Sequence, residues 1–332
     1  MSDNQVLFSN KPQINISCPS TGRMWIVCGC AFLCILQSAI SDGGRSLAIA
    51  VTALITAVLI ELLLMRRHDG ISKIKDGSAA ATALILTLML PNQIHPAYAA
   101  LGAAFAIVVV KYSFGGLGSN WLNPALGGWL FVRFSWPASF PGTLEASSLS
   151  LLIDRLSGGV SNPDYVYYSG AYYTAGEGAG FSGGFMDFLT SPYPGIIADR
   201  GSLLLLAGTV IIMVSRVNRF WIPLVYLAVF GVLARFAGAL PYGGDVWNGD
   251  ALFAICSGGT LAAAIFLASD PATGAKSNGG ILLAAVAGGV LAFLFRFYGG
   301  EPYGAFFAAV FVNAMLPLVR NFERHKLYER YS

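Results

Sequence analysis

Asp76-Gly-Ser-Ala-Ala-Ala-Thr-Ala-Leu-Ile-Leu-Thr-Leu-Met-Leu-Pro91 returns later in the chain as Ser257-Gly-Gly-Thr-Leu-Ala-Ala-Ala-Ile-Phe-Leu-Ala-Ser-Asp-Pro271. A looser echo follows each copy. Gly115-Gly-Leu-Gly-Ser-Asn-Trp-Leu-Asn123-Pro124-Ala is matched by Gly299-Gly-Glu-Pro-Tyr-Gly and then Asn313-Ala-Met-Leu-Pro317. Each half thus has a small-residue apolar segment closed by proline, then a Gly-Gly hairpin, then an Asn element. Apolar segments interrupted by Gly or Pro at corresponding places in two halves are the best sequence pointer to a central site in a membrane protein.

Composition agrees with a membrane setting. Of 332 residues, 55% are hydrophobic and 11% charged, and the mean hydropathy is +0.64. A soluble domain carries roughly 25% charged residues, so most of this chain must face lipid or other apolar helices. The net charge of +3, without long basic runs, gives no reason to expect nucleic acid. The 39 glycines are spread through the apolar segments, as expected where helices approach closely in a bilayer. The first apolar run has no small-x-small cleavage site and reads as a retained span.

A membrane-crossing helix needs about 20 mostly apolar residues. Ten candidates occur, near Met24–Ile40, Ser46–Met65, Ser78–Leu90, Ala97–Tyr112, Asn123–Phe134, Leu203–Val217, Trp221–Phe236, Ala251–Ala268, Ile281–Tyr298 and Gly304–Leu318. The third and fifth are short, which suits broken helices lining a site. With the N-terminus inside and sides alternating, fourteen of the twenty Lys and Arg fall inside, a bias that places both termini in the cytoplasm. The repeated motif opens the third and eighth spans. Five spans separate the copies, so the halves insert with opposite orientation. The expected organisation is a first membrane half over residues 1–136, an outer segment over 137–200, and a second membrane half with a cytoplasmic tail over 201–332. The outer segment is rich in Tyr, Gly and Ser, and its acids outnumber its basic residues. A loop of that length is usually functional or disordered, and its tyrosines argue against disorder.

Few residues inside the spans carry chemistry. His68, His95 and His325 lie in loops or the tail, and no GxxxxGK[ST] or HExxH occurs. Cys28, Cys30 and Cys34 share one apolar segment without a CxxC pair and read as packing residues. An iron–sulfur role would need further ligands from a partner chain. Glu61 is the clearest acid in an apolar run. It is either a proton or sodium ligand or a residue near a span end reaching head groups. Arg133-Phe134, Arg235-Phe236 and Arg296-Phe297 all map to outer ends of spans. They read either as snorkelling to the interface or as a cationic rim for a phosphate. Trp25, Trp136 and Trp221 read as interface anchors.

The series Asp76-Gly-Ser, Phe114-Gly-Gly-Leu-Gly-Ser-Asn-Trp-Leu-Asn123-Pro124-Ala, Ser257-Gly-Gly to Ala268-Ser-Asp270-Pro271, Phe297-Tyr-Gly-Gly-Glu-Pro-Tyr-Gly and Asn313-Ala-Met-Leu-Pro317 resembles the RnfD/NqrB family. These are membrane subunits of the Rnf and sodium-pumping NADH:quinone oxidoreductase complexes. The match runs in order along nearly the whole chain, and the length favours RnfD. The resemblance implies an all-α membrane protein of about ten helices in two inverted five-helix repeats, similar to urea and ammonium channels. It implies a subunit of an enzyme that exchanges electrons between ferredoxin and NAD and moves sodium or protons. It also implies FMN joined through phosphate to a threonine on the outer side, and in some members a riboflavin. The partners implied are other Rnf-type subunits (A, B, C, E and G), a flavin transferase and the lipid bilayer of the bacterial cytoplasmic (inner) membrane.

The attachment motif departs from the family. The expected Ser-Gly-Ala-Thr reads Ser169-Gly170-Ala171-Tyr172, and the nearest threonine is Thr174. Thr174 is the favoured attachment site. Two alternatives stay open: no covalent flavin, or attachment at Thr190 or Ser191. Around the flavin, Tyr167, Tyr168, Tyr172 and Tyr173 supply aromatic faces, Asn123 and Asn313 amide contacts, and Arg133 and Arg296 positive charge. A riboflavin site falls near Asp270 and Asn313. NAD itself is not expected to bind, since no GxGxxG opens a helix after a strand. A reading from another class is a channel or facilitated transporter for small neutral solutes on the same architecture.

Overall fold

The computed structural model describes residues 20–65, 76–114, 120–140, 195–215, 221–242, 246–247, 249, 251–270, 274 and 277–331. Among the described residues the chain is helical and has no strand. One isolated antiparallel bridge joins Pro91 and Ile196.

Helix α1 (Ser20–Ser41) and helix α2 (Arg45–Met65) are joined by a tight turn. Gly43 and Gly44 take φ of 69° and 91° there, a region that costs a side chain dearly. Asp42 Oδ2 accepts the Ser46 N–H at 3.1 Å and so satisfies a free donor at the start of α2. Helix α3 (Ser78–Met89) starts after the left-handed Gly77, and Asp76 Oδ1 accepts the Ser78 N–H at 2.8 Å. Eleven of its 12 residues are buried. Small and apolar residues all round make this a helix enclosed by others, packed against α1 and α2.

Helix α4 (Pro96–Phe105) opens on His95, whose Nδ1 accepts from the Ala97 N–H, with Pro96 in the first turn. It continues as a π-helix over Ala106–Tyr112. Helix α5 (Pro124–Ser135) repeats the start device. The Asn123 Oδ1 accepts from Ala125 N–H at 3.0 Å ahead of a first-turn proline.

The short α6 (Ile197–Arg200) leads into α7 (Ser202–Val214) and α8 (Trp221–Ala237). Then α9 (Ala251–Cys256) and α10 (Thr260–Ala262, continuing as a π-helix over Ala263–Leu267) form one rod broken at Ser257-Gly258-Gly259. Helix α11 (Asn278–Phe293) also ends in a π-helix, Leu294–Tyr298, and α12 (Gly304–Tyr331) closes the chain with Pro317 inside it. All ten apolar segments of the sequence therefore carry helix. The short third and fifth are unbroken, contrary to the expectation. The break lies in the eighth, where Gly258 and Gly259 take φ of 61° and 70°.

Thr21–Ser41, Arg45–Leu64 and Asn278–Tyr298 are long and apolar enough to cross a membrane, and shorter apolar helices accompany them. On α2 the exposed residues Val51, Ile55, Leu59 and Leu63 recur every fourth position. That spacing forms one continuous outward stripe. An apolar stripe facing away from the core is the reverse of a water-soluble helix, and this is a membrane protein.

The cysteines mark close crossings. Helix α1 packs along α7, with Cys30 Sγ 3.6 Å from Gly208 O and Cys34 Sγ 3.2 Å from Gly201 O. Cys28 reaches Gly77 O at 3.7 Å. Cys34 also lies 3.9 Å from Ala198 O, so the three thiols address separate carbonyls, as packing residues do. No group of metal-binding side chains occurs among the described residues.

Candidate functional site

Two buried charge clusters are built alike. In the first, the π-helical end of α4 brings Lys111 to the start of α3. Its Nζ donates to Glu61 Oε1 of α2 at 2.5 Å and to Ser78 Oγ at 2.6 Å. The Tyr112 hydroxyl donates to the same Glu61 oxygen at 3.1 Å. Lys111 and Glu61 are 2% and 1% exposed, so neither charge is stable there without the other. Glu61 is thus tied to a lysine 50 residues away rather than reaching for head groups.

In the second cluster, the π-helical end of α11 brings Arg296 to the break between α9 and α10. Its Nη1 donates to Ala254 O (2.6 Å), Ser257 O (2.8 Å) and Thr260 Oγ1 (2.9 Å), and its Nη2 donates to Ser257 Oγ at 2.5 Å. The fork geometry of a guanidinium lets one side chain hold both sides of the interruption. The carboxylate of this cluster is Asp199, which accepts from the Gly258 N–H at 3.0 Å and the Gly259 N–H at 2.8 Å. Burial pushes the Asp199 carboxyl up to about 7, while the Gly259 N–H, the Arg296 charge and the Gly258 N–H pull the other way. Asp199 did not stand out in the sequence. The hint was the Ser-Gly-Gly interruption, which exposes backbone N–H groups that must find an acceptor.

The three arginines of the Arg-Phe pairs lie in different settings. Arg296 is fully buried and spends its donors on the chain's own oxygens. Arg133 is paired, its Nη2 lying 3.0 Å from Glu301 Oε2, with its guanidinium 5.3 Å from the Phe140 ring centroid. Burial raises the Glu301 carboxyl, and Arg133 lowers it. Arg235 alone of the three is exposed, and it donates to Gly249 O at 2.8 Å.

The structure brings together Asn123 and Asp270. The Asn123 Nδ2 donates to Asp270 Oδ2 at 2.8 Å while its Oδ1 caps α5. Asn313 is 4% exposed, and its Nδ2 is buried with no hydrogen-bond partner among the described residues. Such an orphan donor is costly. Ser169, Gly170, Ala171, Tyr172 and Thr174, the tyrosines beside them, and Thr190 and Ser191 lie outside the described residues. Trp136 stacks on Tyr98 with centroids 4.2 Å apart, and Trp25 lies against Gly77.

The model of the NQR2, RnfD, RnfE family matches residues 7–329. The chain is 28% identical to the D subunit of the proton-translocating ferredoxin:NAD(+) oxidoreductase complex of Clostridium ljungdahlii, covering 95% of this chain and 93% of that protein. It is 27% identical to the D subunit of the Na(+)-translocating ferredoxin:NAD(+) oxidoreductase complex of Acetobacterium woodii, covering 85% and 82%. It is also 28% identical to the D subunit of the ion-translocating oxidoreductase complex of Escherichia coli, covering 86% and 88%.

Proposed function

Since the chain belongs to the NQR2, RnfD, RnfE family, we propose that it is the D-type membrane subunit of an ion-translocating ferredoxin:NAD oxidoreductase complex. The observation that carries this reading is end-to-end similarity to proteins named as that subunit. The chain works as part of an enzyme and holds no complete active site alone. Its partners are the other Rnf-type subunits and the bilayer of a bacterial cytoplasmic membrane, with both termini on the cytoplasmic side.

On this reading ten spans form two inverted five-span halves, residues 1–136 and 201–332, joined by the outer segment 137–200. Several likenesses support the inversion. Left-handed Gly77 and Gly259 each open a helix, at Ser78 and Thr260. A cation on a π-helical end closes on each of those hydroxyls. The outer segment carries FMN esterified to Thr174 by a flavin transferase, and a riboflavin lies near Asp270 and Asn313. A flavin bound here supplies one- and two-electron chemistry. The chain's own task is to hold it in an apolar setting and satisfy its polar edge. No observation favours the solute-channel alternative.

Express the chain with its flavin transferase, purify it, and run it in a denaturing gel. Flavin fluorescence that survives denaturation is expected, and Thr174→Ala should remove it. Undiminished fluorescence in Thr174→Ala rejects that attachment site.

A further inference from the structure

Trp247 is the one non-glycine residue at positive φ among the described residues, at 76°. For so large a side chain that conformation is a costly outlier, and such outliers persist only where the surroundings enforce them. Here the end of α8 enforces it. The Trp247 N–H donates to Phe236 O at 3.2 Å, and the Gly249 N–H donates to Arg235 O at 3.3 Å. Both acceptors are among the last carbonyls of the helix, which have no partner within it. Arg235 Nη1 donates in turn to Gly249 O at 2.8 Å. A Cβ at Gly249 would run into the Ala234 carbonyl, so this turn closes tightly on the helix. A glycine at 247 would make the same backbone bond without strain. The backbone therefore gives no reason for the indole.

Its surroundings do. The ring lies against Phe236, with centroids 3.6 Å apart, yet Trp247 is 55% exposed and its neighbour Val246 53%. Phe236 continues a stripe along α8, where Leu224, Ala228 and Val232 are exposed at every fourth position. Such spacing makes one outward apolar face, as on α2. With 17 residues at about 1.5 Å each, α8 reaches about 25 Å, short of the roughly 30 Å of hydrocarbon in a bilayer. The Trp247 turn adds apolar surface just beyond the last turn of that face. An indole joins an apolar body to one polar N–H, which suits the boundary between hydrocarbon and head groups. The exposed Arg235 guanidinium at the same helix end also suits that level.

We infer that Trp247 is a membrane anchor: its indole lies at the lipid head-group boundary and extends the lipid-facing surface of a helix too short to cross alone. This takes α8 as a span, as in the preceding subsection.

Two measurements test it. First, p-benzoylphenylalanine in place of Val246 is irradiated in membranes holding the assembled complex, and the adduct is identified by mass. A phospholipid adduct is expected. An adduct to another subunit, to a second copy or to the chain itself overturns the assignment, and so does the absence of any adduct. The same group in place of Leu224 tests the span separately. Lipid at 224 with none at 246 rejects the anchor alone, and none at either rejects α8 as a span as well. Second, tryptophan fluorescence of the full chain and of Trp247→Phe is compared in nanodiscs of brominated lipid. The part of the signal lost in Trp247→Phe should be quenched about twofold more by bromine near the head group than by bromine near the chain ends. Stronger quenching from the chain ends, or quenching by aqueous iodide alone, overturns the anchor.

Discussion

The Lys111 and Arg296 clusters share a plan and differ in how charge is balanced. Both place a cation from a π-helical end on the hydroxyl of a helix that opens after a left-handed glycine. Lys111 meets its carboxylate directly, at Glu61. Arg296 is wrapped in neutral oxygens, and its carboxylate, Asp199, is held by backbone N–H groups. The first is an ion pair between whole helices. The second is a clamp over a broken one. The choice of cation follows: a lysine is a compact point charge, and a guanidinium can bridge several acceptors in a plane.

Double-mutant cycles should separate the two designs most sharply. Glu61→Gln or Lys111→Met alone leaves a buried charge unpaired and should cost about 3–5 kcal/mol. The double variant should recover most of that, since a buried pair replaced as a unit is often near neutral. Arg296→Met should cost at least as much, but adding Asp199→Asn should recover little, because Ala254 O and Ser257 O lose their donor either way. Thermal unfolding of the purified chain in detergent, run as a cycle, measures this. Equal recovery in both clusters would erase the distinction.

The opening glycines give a smaller contrast. A Cβ at Gly259 would collide with Phe306 and Ile196, both buried, whereas one at Gly77 would touch the half-exposed Trp25 ring at 3.2 Å. Both substitutions force a side chain into a left-handed conformation, at about 1 kcal/mol. Gly77→Ala should stay near that figure, while Gly259→Ala should add an overpacking cost of about 1–3 kcal/mol. Unfolding temperatures of the two variants, measured together, test the order.

The smallest effect expected is on pH. The folded Asp199 carboxyl lies at about 7, above its ordinary 3.8. The folded state therefore favours the proton. The stability this gives is complete below about pH 4 and is lost as pH rises through 7. Tm should fall by a few degrees from pH 5 to pH 8, and Asp199→Asn should flatten that slope. A slope unchanged in the variant would assign it to another group.

Much of the fold was legible because it is local. Apolar run length located the helices, and the caps that open two of them, His95 before Pro96 and Asn123 before Pro124, are local features that the structure brings out. What joins them was not legible. Glu61 and Lys111 lie 50 residues apart, and nothing in either run names the other. An Arg-Phe pair at a helix end can turn outward or inward. Arg296 turns inward because the Ser257–Thr260 break offers acceptors that only the fold assembles. The same break predicts that some carboxylate or carbonyl must meet the Gly258 and Gly259 N–H groups, without saying that it is Asp199.

Electron relay through this chain requires that it carry a flavin. The direct measurement is the intact mass of the chain purified after co-expression with its flavin transferase, followed by peptide mapping. The expected result is a mass raised by one FMN less water, located on the peptide containing Thr174. An unmodified chain, from cells in which the transferase labels a control substrate, would contradict it.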